Sequence, residues 1–386
     1  MRTLALAAMA VILPTAATAE PWSRAYVVDW MEPAFFHGGP KDENPAPGTD
    51  CPKGTAPPHG WKKVLKTRWR KDADIAYYMD AENRPDLQRV LRFRGPNYEN
   101  VWEQPTLAPD LGLPPVTGKI AYGFNLDDNV KTGGFSTPEG VPGIDNGYYR
   151  AGGCWASYRG QPYKSQRGVG INGYMRDGLY TVLIVMSGNK DPMNDDDVTF
   201  AFYQAQERIM KDALGQVARD VSFSVRPDLR TQSIVKAKIV DGVVETRAPA
   251  EIRFRDEAWN LRMPDQVQLI GGRLRFQMKP EGGLEGYVGG YRDWKVIYRK
   301  QAVNGRDGEM NQGIDMPSFY YALERHADAD PDPKTGKNRR ISMAYRLRAV
   351  PAFVLTPDSK EVVSVPRVFD GKPASQLAAA TATPAQ

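Results

Sequence analysis

Apolar and polar residues alternate with a period of two along much of the chain after residue 118, the spacing that sets one face of a strand on a core and the other in solvent. Residues 273–278 run Arg, Leu, Arg, Phe, Gln, Met, so Leu274, Phe276 and Met278 share a face. β-Branched and aromatic runs bounded by turn residues predict strands at 120–126, 179–186, 198–203, 221–225, 234–239, 243–246, 251–254, 267–270, 274–278, 294–298 and 349–355. Asp241-Gly242 between two of these runs is a strong hairpin signal, because the favoured two-residue loop needs left-handed backbone at both positions. Gly271-Gly272 reads as another turn. Helical spacing is rarer. Pro85 followed by Leu87, Val90 and Leu91 predicts a helix over 84–94, and Phe319, Tyr320 and Leu323 another over 316–327; 204–216 is a third candidate. The expected fold is mainly β with a few short helices: an antiparallel β-sandwich of jelly-roll or lectin-like kind, or an open barrel.

The start of the chain breaks this pattern. Arg2, an apolar run over 4–13 and the small residues Ala17, Thr18 and Ala19 have the charge, apolar length and cleavage site of a secretory signal peptide. About ten apolar residues are too few to span a bilayer of ~30 Å, and no later run is longer, so no transmembrane anchor is expected. Four parts follow: a signal peptide at 1–19, a Pro/Gly-rich N-terminal arm and small subregion at 20–117, a β-rich main domain at 118–371, and a disordered tail at 372–386. The location implied is the periplasm or the medium. Cys51 and Cys154 are the only cysteines of the chain, and an oxidising compartment lets them persist as a disulfide; two buried free thiols are the alternative.

Composition changes this picture little. Hydrophobic residues make up 41% and charged residues 25% of the 386, close to globular averages, so a full core is within reach. The net charge of +5 is small beside 51 basic and 46 acidic residues. The densest basic stretch, 62–71, alternates Arg68, Trp69 and Arg70 as a half-buried strand would; an anionic surface is the other use for it. Export excludes nucleic acid as the partner.

Candidate chemistry gathers in residues 125–146. Asn125, Asp127, Asp128, Asn129, Glu139, Asp145 and Asn146 lie among glycine turns, and Ca²⁺ takes six to eight such oxygens at about 2.3–2.6 Å. The EF-hand order is missing, and the same residues serve equally as turn and cap formers, Asp145 as the cap of a helix starting near Asn146. Gly168, Gly170 and Gly173 spell G-x-G-x-x-G in the wrong context for a dinucleotide. Ser187 with Lys190, and the two Lys-Thr-Gly triplets at 131–133 and 334–336, match the elements of a serine acyl-transfer site but not its helix and edge-strand setting. Three histidines, His37, His59 and His326, are too few and too scattered for a zinc motif. No spacing picks out a catalytic set, so whether the chain is an enzyme is open. Aromatic clusters at Tyr148, Tyr149, Trp155 and Tyr158, and at Tyr287, Tyr291, Trp294 and Tyr298, are either core or a sugar-stacking face. The expectation is a calcium-stabilised binding or accessory module whose ligand is a carbohydrate or another periplasmic protein; the alternative is a secreted carboxylate-dependent hydrolase of glycans.

Overall fold

The computed structural model describes residues 21–38, 51, 61–68, 72–159, 163–256, 265–303, 305 and 307–355. The expected signal peptide and tail lie outside the described residues. Aromatic and β-branched residues make β1 (Trp22–Pro33). Three short helices follow, α1 (Trp61–Arg68), α2 (Asp72–Met79) and α3 (Arg84–Arg92). Pro85 sits in the first turn of α3 and Leu87 and Leu91 bury its inner face, as their spacing predicts. Residues 61–68 are helical, so Arg68 ends a helix; Trp69 and Arg70, which carry the rest of the strand-like alternation, lie with Lys71 outside the described residues.

The small hairpin β2 (Phe135–Ser136) and β3 (Pro142–Ile144) leads to α4 (Gly147–Gly152), then α5 (Gln166–Arg176). Next come β4 (Val182–Gly188), β5 (Asp195–Gln204), β6 (Val221–Ser224), β7 (Ser233–Val240), β8 (Val243–Thr246), β9 (Ala250–Asp256), β10 (Asp265–Met278) and β11 (Leu284–Asp293). The last elements are α6 (Trp294–Val303), α7 (Met316–His326), β12 (Ala329–Pro331) and β13 (Asn338–Leu355). Asp241 and Gly242 join β7 to β8 with φ of 49° and 73°, the left-handed pair expected of this dipeptide.

The strands follow the order β1, β4, β5, β7, β8, β10, β11, β13, and β13 pairs back onto β1. Every pair along this path is antiparallel, so the wall is a closed eight-stranded barrel. Closure overturns the sandwich expectation. Alternation along each strand fixes which side chains are buried, whichever way the sheet curls, and what decides between the two is the β1–β13 pairing, Ala25 opposite Ala352 and Val27 opposite Val350. Residues 22–33, within the N-terminal arm and holding its strand-like apolar run at 26–30, are therefore a stave of the barrel between β4 and β13. The interior is filled: Phe200 on β5 stacks at 5.4 Å on Phe276 of β10, and Phe254 meets Phe202 at 5.3 Å and Tyr345 at 5.4 Å. Eight strands enclose only enough room for such side chains.

Four other expectations are corrected. Gly271-Gly272 is no turn: β10 continues through it, with Gly271 at φ 60° and a register shift between Ile270 and Arg273. The bulge bends β10 so that its first half pairs with β9 and its second with β8. Residues 294–298 begin α6, because Trp294, Ile297 and Tyr298 recur at i, i+3 and i+4 and all are buried. Residues 120–126 and 206–216 hold only isolated bridges, neither strand nor helix. The expected helix over 316–327 is present as α7, capped by Asp315, whose carboxylate accepts from the Ser318 amide, with Pro317 in its first turn.

Cys51 and Cys154 form a disulfide with Cα atoms 5.7 Å apart, both fully buried. Helix α5 lies on β1, while α4 and α6 pack on α7. A cavity of about 30 Å³ lies where α4, α5 and α6 meet β1, β11 and β13. Among the described residues no helix is long and apolar enough to cross a membrane.

Candidate ligand cleft

Residues 125–146 fold as turns around the β2–β3 hairpin, and most of their polar side chains are occupied locally. Asp127 accepts from the Asn129 amide at 2.9 Å and the Thr132 hydroxyl at 2.5 Å. Asn129 accepts from the Lys131 amide, and Asp128, at φ 58°, forms an ion pair with Arg273 at 2.7 Å. Glu139 is exposed at the tip of the hairpin. Asp145 is buried and accepts from the Leu126 amide at 2.7 Å, while Asn146 caps α4 by accepting from the Tyr149 amide at 3.0 Å. The cap is thus Asn146, one residue later than expected. Asn125 is partly buried and its Oδ1 has no hydrogen bond. Among the described residues no group of three or more His, Cys, Asp or Glu side chains is arranged to hold a metal ion.

The first aromatic cluster is core, as are Trp294 and Tyr298 of the second, while Tyr287 and Tyr291 are half-buried. Trp155, Tyr148, Tyr149 and Tyr158 are buried, and the hydroxyls of Tyr148 and Tyr158 bond each other at 2.9 Å. Trp294 and Tyr298 are buried between α6 and α7, and Tyr287 stacks on Tyr122. The G-x-G-x-x-G glycines lie inside α5, where Gly168 sits against Trp30 and Glu32 of β1. Ser187 lies within β4, and Lys190 forms an exposed ion pair with Asp196.

A glycan hydrolase needs two carboxyls facing one open cleft, one of them kept protonated. The clearest such pair by chemistry flanks Tyr163. Its amide donates to Glu32 at 3.2 Å and its hydroxyl donates to Glu285. Burial pushes the Glu32 carboxyl above its usual range. Burial also works upward on Glu285, but hydrogen bonds from Tyr163 and Lys279 outweigh it and hold that carboxyl low. Glu32, however, is only 4% exposed, and Arg346, itself 4% exposed, lies beside it at 3.9 Å among the rings of Tyr122, Tyr163 and Tyr287. Glu285 is half-buried and Glu32 fully so, so the two carboxyls do not share one open cleft.

A roomier opening lies elsewhere, where the bent β9–β10 pair meets the start of α6. It is a cleft of about 380 Å³ lined by Asp228, Arg230, Thr231, Arg255, Gln266, Gln268, Arg292, Asp293, Val296 and Arg340. Each side chain is placed by local structure. Arg255 and Gln266 face each other in register across β9 and β10. Asp228 caps a short 3₁₀ turn at Leu229–Thr231 and holds Arg230 by two hydrogen bonds of 2.9 and 2.8 Å; those bonds keep its carboxyl below the usual range. Asp293 ends β11 and accepts from the Lys295 and Val296 amides, starting α6. Arg292 is buried at the back, its guanidinium bonded at 2.9 Å to the Tyr345 hydroxyl. Arg340 lies on β13 opposite Asp293 and pairs at 3.1 Å with Asp330.

Four arginines and two aspartates line this cleft; with Asp330, which pairs with Arg340, counted as well, the surplus is one positive charge, and Val296 is the one aliphatic lining residue. Planar five-donor guanidinium groups suit carboxylate, phosphate or sulfate. None of these residues is among the sequence candidates. Their positions, 228–231, 255, 266–268, 292–296 and 340, share no local motif and meet only through the fold. The chain matches no protein-family model, no curated protein and no solved structure.

Proposed function

We propose that the chain is an exported, disulfide-stapled barrel that works as a binding or accessory module and holds a small anionic ligand in the arginine-lined cleft. The observation that carries this is the convergence of Arg230, Arg255, Arg292 and Arg340 on one opening of about 380 Å³, a small-molecule scale, in a barrel whose interior is otherwise filled. Export rests on the charge, apolar run and cleavage site at the start of the sequence. The hydrolase alternative has less behind it: in the cleft, Asp228 is held ionised by Arg230 and is no proton donor. Calorimetric titration with gluconate, citrate and phosphate is expected to show binding by at least one anion, and Arg255→Gln with Arg340→Gln to weaken it by about tenfold to a hundredfold, the worth of one or two charge-assisted hydrogen bonds. Equal binding by wild type and the variant, at unchanged melting temperature, would overturn the proposal.

Calcium at the 125–146 corner is a second, separate proposal, and one observation favours it. Burial raises the Asp145 carboxyl to about 6, and the nearby carboxylates of Asp127 and Asp328 push the same way against the Leu126 amide. A cation there would relieve that cost. Because the folded value lies above the unfolded one, stability without cation is full below about pH 4 and falls as pH rises to about 6. Asp145→Asn is expected to remove this fall and to gain roughly 1 kcal/mol at pH 7, discounted for solvent at the carboxyl. Melting of both proteins in EDTA and in calcium decides the matter: a rise with calcium in the wild type, lost in the variant, supports the ion, and identical melting curves in the two media remove it.

A further inference from the structure

We infer that the ligand of the cleft is a hydroxylated monocarboxylate of the sugar-acid class, an aldonic or uronic acid. This rests on the cleft being an anion site and goes beyond it to the chemistry of the ligand. The lining is not a plain basic pocket. Asp228 and Asp293 stand in it beside the arginines, with the exposed Gln266 and Gln268 of β10; the Gln268 amide donates to Glu251, which leaves Gln266 as the glutamine of the lining with no such bond to a carboxylate.

Carboxylates in an anion site have a chemical consequence. They repel a di- or trianion and leave its extra charge uncompensated, whereas a ligand with one charge and several hydroxyls meets each group with its complement. The guanidinium groups take the carboxylate in two-point fashion, the aspartates accept hydroxyl protons, the Gln266 amide both donates and accepts, and the Gln268 carbonyl accepts while its amide holds Glu251. Apolar bodies are disfavoured, since Val296 is the one aliphatic side chain lining the cleft, and that excludes fatty acids and aromatic acids as good fits. The back wall is rigid: Arg292 is only 4% exposed, and its bond to Tyr345 fixes it to the filled interior, so it offers a preset donor and not a mobile surface cation. Asp293 is fixed as well, because its carboxylate also starts α6.

The test compares galacturonate, galactose, citrate and phosphate on the whole exported protein by calorimetry. Galacturonate is expected to bind at least about tenfold more tightly than galactose, which lacks the charge, and at least about tenfold more tightly than citrate or phosphate, which carry too much of it. Asp228→Asn removes one repelling charge and is expected to narrow the gap between citrate and galacturonate. Gln266→Leu with Gln268→Leu is expected to weaken galacturonate while leaving citrate within about twofold. Citrate or phosphate binding as tightly as galacturonate would overturn the sugar-acid inference and leave the anion cleft standing. No binding by any of the charged probes, or galactose as tight as galacturonate, would overturn both.

Discussion

Replacing Cys51 and Cys154 together by alanine is expected to lower the unfolding free energy by about 4 to 5 kcal/mol, the chain-entropy value for a loop of about a hundred residues. The bridge spans 103 residues of sequence and ties the segment bearing Cys51 to the exit of α4. Its sulfurs are in the core, against Arg159, which also reaches the His37 carbonyl at 3.0 Å, so the bridge closes over the first residues after β1. Within the loop it closes, the described residues between Trp61 and Leu113 supply short helices and turns that bury Trp61, Leu65, Leu87, Leu91 and Trp102 but add no strand to the barrel. Short helices of this kind are marginal alone and depend on being held against a core. Urea unfolding of the double variant measures the loss, and reductant is expected to bring the wild type to the same midpoint. A loss below about 1 kcal/mol would mean that the loop is held by its buried apolar side chains and not by the crosslink.

The barrel's staves were legible wherever the signal is local. Asp241-Gly242 predicted the β7–β8 hairpin because the two left-handed residues and the strands they join are adjacent in sequence. The alternation at 273–278 placed Leu274 and Phe276 in the core, where both are 1% exposed or less. Closure was not legible, since the pairing that decides it joins Ala25 to Ala352, and no pattern within one strand records its distant neighbour. The two glycines at 271 and 272 misled for a related reason: the same freedom at φ 60° serves a turn or a bulge, and only the partner strands show which. In α6 Trp294, Ile297 and Tyr298 have helical spacing, but the run is short and its aromatic and β-branched content fits a strand equally well, so period alone does not decide it.

The candidate site shows the same limit more sharply. The sequence directs attention to 125–146, where acidic and amide residues crowd together, and these prove largely to be turn and cap formers. The cleft's arginines are separated by 25 or more residues, 230 to 255 to 292 to 340, and each looks like an ordinary solvated charge in its own strand or turn. What makes them a set is the bend of β10 and the start of α6, neither of which was expected.

Arg94 is the other position where one substitution is expected to cost several kcal/mol. It follows α3, and its guanidinium is nearly buried between two carboxylates, meeting Glu309 at 2.9 and 3.0 Å and Asp315 at 2.5 Å. Glu309 lies in the π-helical turn Asp307–Asn311 and also accepts from the Met316 amide, while Asp315 caps α7, so one cation joins α3 to the start of the helix that braces α4 and α6. Arg94→Met leaves two buried carboxylates without a counter-charge, a change worth about 3 to 5 kcal/mol. The loss is expected to depend on pH in a definite sense. Burial and the neighbouring Asp315 already raise Glu309 to about 7 against the pull of Arg94, and without that pull it rises further. A carboxyl whose folded value is raised costs nothing below its unfolded value, near 4.5, and its penalty grows as pH climbs towards the folded one. The variant is therefore expected to lose little at pH 4.5 and the full amount at pH 8, measured as the shift in urea midpoint. Glu309→Gln added to Arg94→Met is expected to recover part of the loss at pH 8, because it removes the uncompensated charge while keeping an acceptor for Met316. A loss equal at both pH values would mean that Arg94 contributes through the packing of its alkyl stem and not through charge.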